Sequence, residues 1–221
     1  MNSTEITYLH IGKNAGNQIQ HIARQLRKYG INIHRQQHHT KLFDLPTGSK
    51  YFFSIRRPVE RFFSGFYSRK RKGQPLGFHE WAEHEKIAFE TFEHANELAE
   101  SLFDNGAKGR QARQAIKSIG HINTQQNDWF AGSAFLSARP PVTIIRVEHF
   151  ETDMQRLLKL IGVYEDIKSL VTNDSTLAHK NTDVKIPPLS ELAHANLEKW
   201  YIQDYYFYEM CSDWIEQTVL S

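Results

Sequence analysis

The stretch that decides the fold is "YLHIGKNAGNQIQHI", residues 8–22. An apolar run stops at a small Gly-Lys-Asn-Ala-Gly segment, and a helical pattern starts at once. Ile19, Ile22, Ala23 and Leu26 recur at spacings of three and four. Gly30 is placed to end that helix. "INIHR" (31–35) then reads as a second strand, rich in β-branched residues. Strand, loop, helix and strand in this order imply a crossover unit, and a crossover implies a parallel sheet.

Two further apolar runs extend the sheet. "KYFFSI" (50–55) and "PVTIIRV" (141–147) join "ITYLHI" (6–11) and 31–35 as strands. After the third strand, "RRPVERFFSGFYSRKRK" starts a helix, with Pro58 in the first turn, where a missing N–H is harmless. Val59, Phe62, Phe63, Phe66 and Tyr67 form its apolar face. One long helix is expected over 80–103, with glutamates on a solvated face opposite Trp81, Ala88, Phe92, Ala95, Ala99 and Leu102. Residues 104–110 read as a loop and 151–161 as a helix ended by Gly162. The C-terminal region is helical. The expectation is a single α/β domain over 1–221, a parallel sheet flanked by helices, with a helical insertion over 73–135.

Composition narrows the function. The chain has 221 residues, enough for one sizeable core. Lys plus Arg number 27 against 25 Asp plus Glu, so the molecule is no polycation and any basic function is local. Residues 56–72 hold seven Lys or Arg against one Glu, and residues 80–104 hold eight acids against one Lys. The lone Cys211 excludes an internal disulfide framework and fits a reducing compartment. No apolar run approaches the roughly 20 residues of a membrane span. The expected location is cytoplasmic, at most peripheral to a membrane; a chain trimmed of an anchor reads the same way.

In open α/β sheets, ligands bind beyond the carboxyl ends of the strands. Two such ends are suited to anions. At the first, Gly12 and Gly16 are expected to let the backbone turn and approach a ligand closely. Successive N–H groups and the helix N-terminus supply partial positive charge there, and Lys13 adds a full one. At the second, Arg56 follows "YFFSI" directly and can grip a phosphate with two parallel hydrogen bonds. Ser64, eight positions on, lies about two helical turns away, close to one face. Two anion sites suggest a ligand with two separated phosphates. A Walker loop is excluded on detail: Lys13 precedes Gly16, and no Ser or Thr follows to meet a magnesium ion. The third strand ends in Arg56 and the fourth in Glu148, where a nucleoside triphosphatase wants an Asp near the metal.

These residues carry a family likeness. "YLHIGKNAGNQI" resembles the 5′-phosphosulfate loop of sulfotransferases, which runs like H-I-P-K-T-G-G-T-S in the carbohydrate branch. "SIRRPVERFFSGFYSR" resembles their 3′-phosphate motif, R-D-P-V-E-R-F-x-S-x-Y, and is the more specific match. "GHINTQQNDWF", "VTIIRVEHFETDMQRLLKLIG" and "LAHKNTDVKIPPLSELAHANLEKWYIQDYYFY" continue it more weakly, so the resemblance, toward heparan sulfate 2-O-sulfotransferase-like enzymes, spans most of the chain. It implies a P-loop-like fold and the donor 3′-phosphoadenosine 5′-phosphosulfate (PAPS). Lys13, Asn14, Ala15, Gly16, Asn17 and Gln18 would wrap the phosphosulfate, Arg56 and Ser64 would hold the 3′-phosphate, and Lys180 would close over the nucleotide. Gly12 replaces the family's common Pro, Asn17 a Thr and Arg57 an Asp; an Asn amide still donates a hydrogen bond.

For catalysis, Lys13 is the candidate to stabilise charge on the leaving oxygen. A hydroxyl acceptor also needs a base. In "IHRQQHHTKLFD", placed as related enzymes place a catalytic His or Glu, His39 is chosen, with His38 its competitor and His34 behind. His10 reads as buried, and His121 and His179 as acceptor-side candidates. No metal is expected. The reading is a PAPS-dependent sulfotransferase acting on a hydroxyl, with a carbohydrate or glycoconjugate as the expected acceptor and the basic run Arg69–Lys72 helping to attract an acidic glycan. The alternatives are a nucleotide kinase with a degenerate loop, or a non-catalytic binder of nucleic acid or sulfated polymer. The latter is weakened because Phe62, Phe63, Phe66 and Tyr67 sit at core spacing.

Overall fold

The computed structural model describes residues 3–172 and 186–220. In chain order its elements are β1 (Thr4–Leu9), α1 (Gly16–Leu26), β2 (Ile31–Arg35), β3 (Tyr51–Ile55), α2 (Pro58–Lys70), α3 (Glu83–Thr91), α4 (Ala95–Ser101), α5 (Ala107–Ser118), α6 (Phe135–Ala138), β4 (Ile144–Arg146), α7 (Phe150–Leu160), α8 (Glu191–Trp200) and α9 (Ile202–Leu220). The described residues fall into two compact units. One, the sheet unit, comprises 3–57, 126–172 and 206–220; the other, the helical unit, comprises 58–125 and 186–205. The helices expected as an insertion belong largely to the second unit, which opens at Pro58.

In the sheet unit, four parallel strands run in the order β2-β1-β3-β4. The β1-α1-β2 crossover forms as the periodicity implies, with Ile19, Ile22 and Leu26 buried. Gly30, at φ 73°, turns the chain and bonds the Arg27 carbonyl at 3.0 Å before β2 begins. β3 is buried throughout, because it is covered on both faces. Tyr51, Phe53 and Ile55 face a core with Leu9, Phe130, Phe207, Cys211 and Ile215. Phe52, pointing the other way, joins Tyr8, Ile19, Ile22, Met154 and Leu157. The first strand stops at Leu9, two residues short of expectation, which leaves His10 and Ile11 to enter the loop.

In the helical unit, Phe62, Phe66 and Tyr67 of α2 pack with Phe89, Phe92, Leu98, Ile116 and Tyr201. The expected long helix over 80–103 is two helices. Phe92 leaves the helical region at φ −123°, and the Glu97 carboxylate accepts from the backbone N–H of Glu93 at 3.0 Å to start α4 afresh. A continuous apolar stripe does not disclose such a break. The expected loop over 104–110 is shorter, because Asp104 accepts from the Gly106 N–H at 2.6 Å and α5 starts at Ala107.

Nor is the acidic face wholly solvated. Glu85 is buried and takes Arg69 Nε at 2.7 Å, with Arg69 Nη2 on its second oxygen. It also accepts from the Gly120 N–H at 2.9 Å and the Ala82 N–H at 3.1 Å. Burial pushes the Glu85 carboxyl up, but these donors together outweigh it and hold the group below its ordinary range. Among the described residues, no helix is long and apolar enough to cross a membrane.

Candidate active site

After β1, the chain makes a strained loop. Lys13 lies at φ 71° and Ala15 at φ 61°, both left-handed. For residues with a Cβ, this conformation costs about 1–2 kcal/mol each. The glycines expected to supply the turn are not the left-handed ones. Gly16 is needed for space instead: a Cβ there would sit 2.1 Å from His10 Nε2.

Asn14, between the two strained residues, is fully buried and over-determines them. Its Nδ2 donates to the Ser54 carbonyl and to Gln126 Oε1, both at 2.8 Å. Its carbonyl accepts from Ser54 Oγ at 2.6 Å. That bond uses the one Ser54 proton, so the Tyr8 hydroxyl donates to Ser54 Oγ across 2.7 Å. Burial holds the Tyr8 phenol well above its ordinary range, which keeps it a donor.

The loop leads into α1 without a side-chain cap and with no acidic residue in the first turn. The Ile19 N–H takes the Ala15 carbonyl at 3.1 Å, so the N–H groups of Gly16, Asn17 and Gln18 precede the first helical bond. Such an end attracts anions. Asn17 and Gln18 are half-buried, and Gln18 Oε1 is a buried atom with no hydrogen-bond partner among the described residues.

Arg56 stands where the sequence puts it, at the carboxyl end of β3, and its Nη1 donates to the Lys13 carbonyl at 3.4 Å. The two anion-suited strand ends are therefore adjacent. A residue that the sequence reading passed over joins them. Gln126, fully buried, accepts from the Arg56 N–H at 2.9 Å and donates to the Arg56 carbonyl at 2.8 Å. The same Oε1 also holds Asn14. The only trace of this in the sequence is that Gln126 lies in "GHINTQQNDWF". Glu148, at the end of the fourth strand, accepts from the Arg57 N–H at 2.8 Å and the Tyr208 hydroxyl at 3.1 Å. Its oxygens thus serve protein donors. Ser64 is half-buried on α2, in the helical unit. Lys180 and His179 lie outside the described residues.

The histidines separate clearly. His10 is buried, with its ring against Gly16. Arg35 Nε donates to His10 Nδ1 at 3.0 Å, which leaves the proton of a neutral ring at Nε2, the atom beside Gly16. The His38 ring lies 4.2 Å from that of His10, centroid to centroid. His38 and His39 are both exposed in the turn after β2, and the ring contact with His10 is what sets His38 apart. His34 is exposed and bonded to Glu5, and His121 belongs to the helical unit at φ 71°. Of the candidates for the base, His38 is the one joined to the loop, through His10.

A family model described as the sulfotransferase family matches residues 2–210. The chain belongs to the sulfotransferase family. No curated protein matches it. Membership accounts for the parallel sheet and P-loop-like plan, and makes the chain a transferase of sulfuryl groups to a hydroxyl acceptor. The basic run of this sulfotransferase-family chain is less available than the sequence suggests. Arg69 is committed to Glu85, Lys72 to Glu80 at 2.5 Å, and Lys70 to the Glu93 carbonyl.

Proposed function

We propose that the chain transfers a sulfuryl group from PAPS to a hydroxyl of a carbohydrate or glycoconjugate. The observation that supports this most is the pinned loop, with an uncapped helix N-terminus and Lys13 on one side and Arg56 on the other. This donor set suits a ligand that offers only acceptors. The backbone N–H groups of residues 14–18 and the Lys13 ammonium would hold the phosphosulfate; Arg56 would hold the 3′-phosphate. The Asn14 side chain faces inward and acts by shaping the loop.

When bound, PAPS supplies the sulfuryl group and departs as adenosine 3′,5′-bisphosphate. Lys13 neutralises charge at the bridging oxygen, where a fixed cation in a partly dehydrated site is most effective. We assign the base to His38 rather than His39, because His38 packs on His10 and His10 abuts the loop. His38 takes the acceptor proton as the hydroxyl oxygen attacks sulfur.

A thermal-shift experiment tests the donor. Adenosine 3′,5′-bisphosphate without metal should stabilise the protein, and Arg56→Ala should abolish the shift. Stabilisation only by ATP with Mg²⁺ would overturn the reading in favour of a kinase. His38→Ala should retain the bisphosphate shift while losing transfer of labelled sulfuryl group. Full transfer by that variant, together with loss in His39→Ala, would return the role to His39.

A further inference from the structure

A groove of about 400 Å³ runs along α1 and β2, in the size range of ligand pockets. Its walls carry three arginines. Arg24 and Arg27 are three positions apart, on one face of the helical turn, and Gln20 continues that face. Arg35 comes from the edge strand β2. No Asp or Glu lines the groove. The Glu5 carboxylate, beside His34, is committed to Asn32 and Ser3, each at 2.7 Å, and to His34.

Arg35 is the informative member. It is half-buried, and its guanidinium donates to His10 Nδ1 and to Gln20 Oε1, both neutral acceptors. Burial pulls its pKa down, with Tyr8 the sole opposing influence, so no carboxylate compensates for the lost water. Arg24 and Arg27 are exposed and form no ion pair with the described residues. A desolvated cation with neutral partners, facing two more cations, is stabilised by an anion.

We propose that this groove binds the carboxylate or sulfate of an acidic oligosaccharide acceptor through Arg24, Arg27 and Arg35. The proposal rests on the sulfotransferase reading above for the word acceptor. The site leads from the groove through Arg35 to His10 and His38, and thus toward the assigned base. The lining favours a sugar over nucleic acid. Gln20, Gln36 and the guanidiniums suit hydroxyls and anions; of the two ring-bearing wall residues, Tyr8 is fully buried and His34 is held by Glu5, so no Phe, Tyr or Trp face is open to base stacking.

Calorimetry on the full chain tests it. The probes are a uronate-containing hexasaccharide, a sulfated hexasaccharide, neutral maltohexaose and an oligonucleotide of matched charge. Arg24→Gln/Arg27→Gln should weaken the acidic sugars about tenfold or more. It should leave the bisphosphate unaffected, and the two acidic probes show which anion is preferred. Lys108→Gln/Arg110→Gln removes equal charge from exposed positions of α5 and should change binding less than about twofold. Equal losses in both double variants, equally tight maltohexaose, or a tighter oligonucleotide that depends on Arg24 and Arg27 would each overturn the proposal. If the bisphosphate fails to bind but acidic sugar binding keeps its dependence on those arginines, the donor reading falls and the groove stands.

Discussion

Two basic regions of the chain have opposite fates. The run Arg69–Lys72 is conspicuous in the sequence, yet the helical unit commits Arg69, Lys72 and Lys70 internally, to Glu85, Glu80 and the Glu93 carbonyl. Arg24, Arg27 and Arg35 are scattered across a helix and a strand, yet they line one groove with no acid among them. Charge density along the chain therefore says little about charge available to a ligand. What matters is whether the fold has already supplied a counter-ion.

The strongest way to break this contrast is Glu85→Ala. Arg69 and Glu85 have side chains only 11% and 7% exposed, so the variant strands a buried guanidinium. Loss of one partner of such a pair costs about 3–5 kcal/mol, which a urea titration will read as a lowered midpoint. The same carboxyl gives a pH signature. Its folded pKa lies below the ordinary 4.5, so its contribution is complete above that pH and is lost as the pH falls through the folded value. Glu85→Gln should flatten this acid limb. An unchanged limb would show that the pair is not what stabilises the helical unit.

Next in size is Gln126→Ala, which leaves the Arg56 N–H and carbonyl without the Gln126 amide and removes one of the two acceptors of Asn14 Nδ2. Each buried group left unsatisfied costs about 1–3 kcal/mol. The bisphosphate should bind more weakly than this loss of stability explains, and calorimetry under conditions where the variant is folded will show it. Gly16→Ala forces a methyl against His10 and should cost about 1–3 kcal/mol, measured by denaturation. The smallest effect is that of Arg24→Gln/Arg27→Gln on stability, expected within about 0.5 kcal/mol because both residues are exposed and without ion pairs among the described residues. A large loss there would place these arginines with Arg69, as structural charges.

What was legible in the sequence was local. The crossover, the buried stripe of α1 and the stop at Gly30 follow from period and from one glycine's freedom. Arg56 and the loop were legible because each borders a strand, where anion-binding groups have a physical reason to stand. The split of the long helix was not, since Glu97 looks the same on a solvated face as at a helix start. Gln126 was hidden for a different reason: its partners are 112 and 70 positions away, and nothing nearby marks an amide that will be buried. Arg35 was passed over because a cation's lack of a counter-ion is a property of the folded neighbourhood.

The reach of Gln126 also orders events during synthesis. A nascent chain displays the whole Gly-Lys-Asn-Ala-Gly motif as soon as Gly16 has left the ribosome. The bonds that tie Asn14 to Arg56 wait until residue 126 has followed. The anion cradle is therefore spelled out more than a hundred residues before it is completed, and a fragment that ends before Gln126 carries the motif without this clasp.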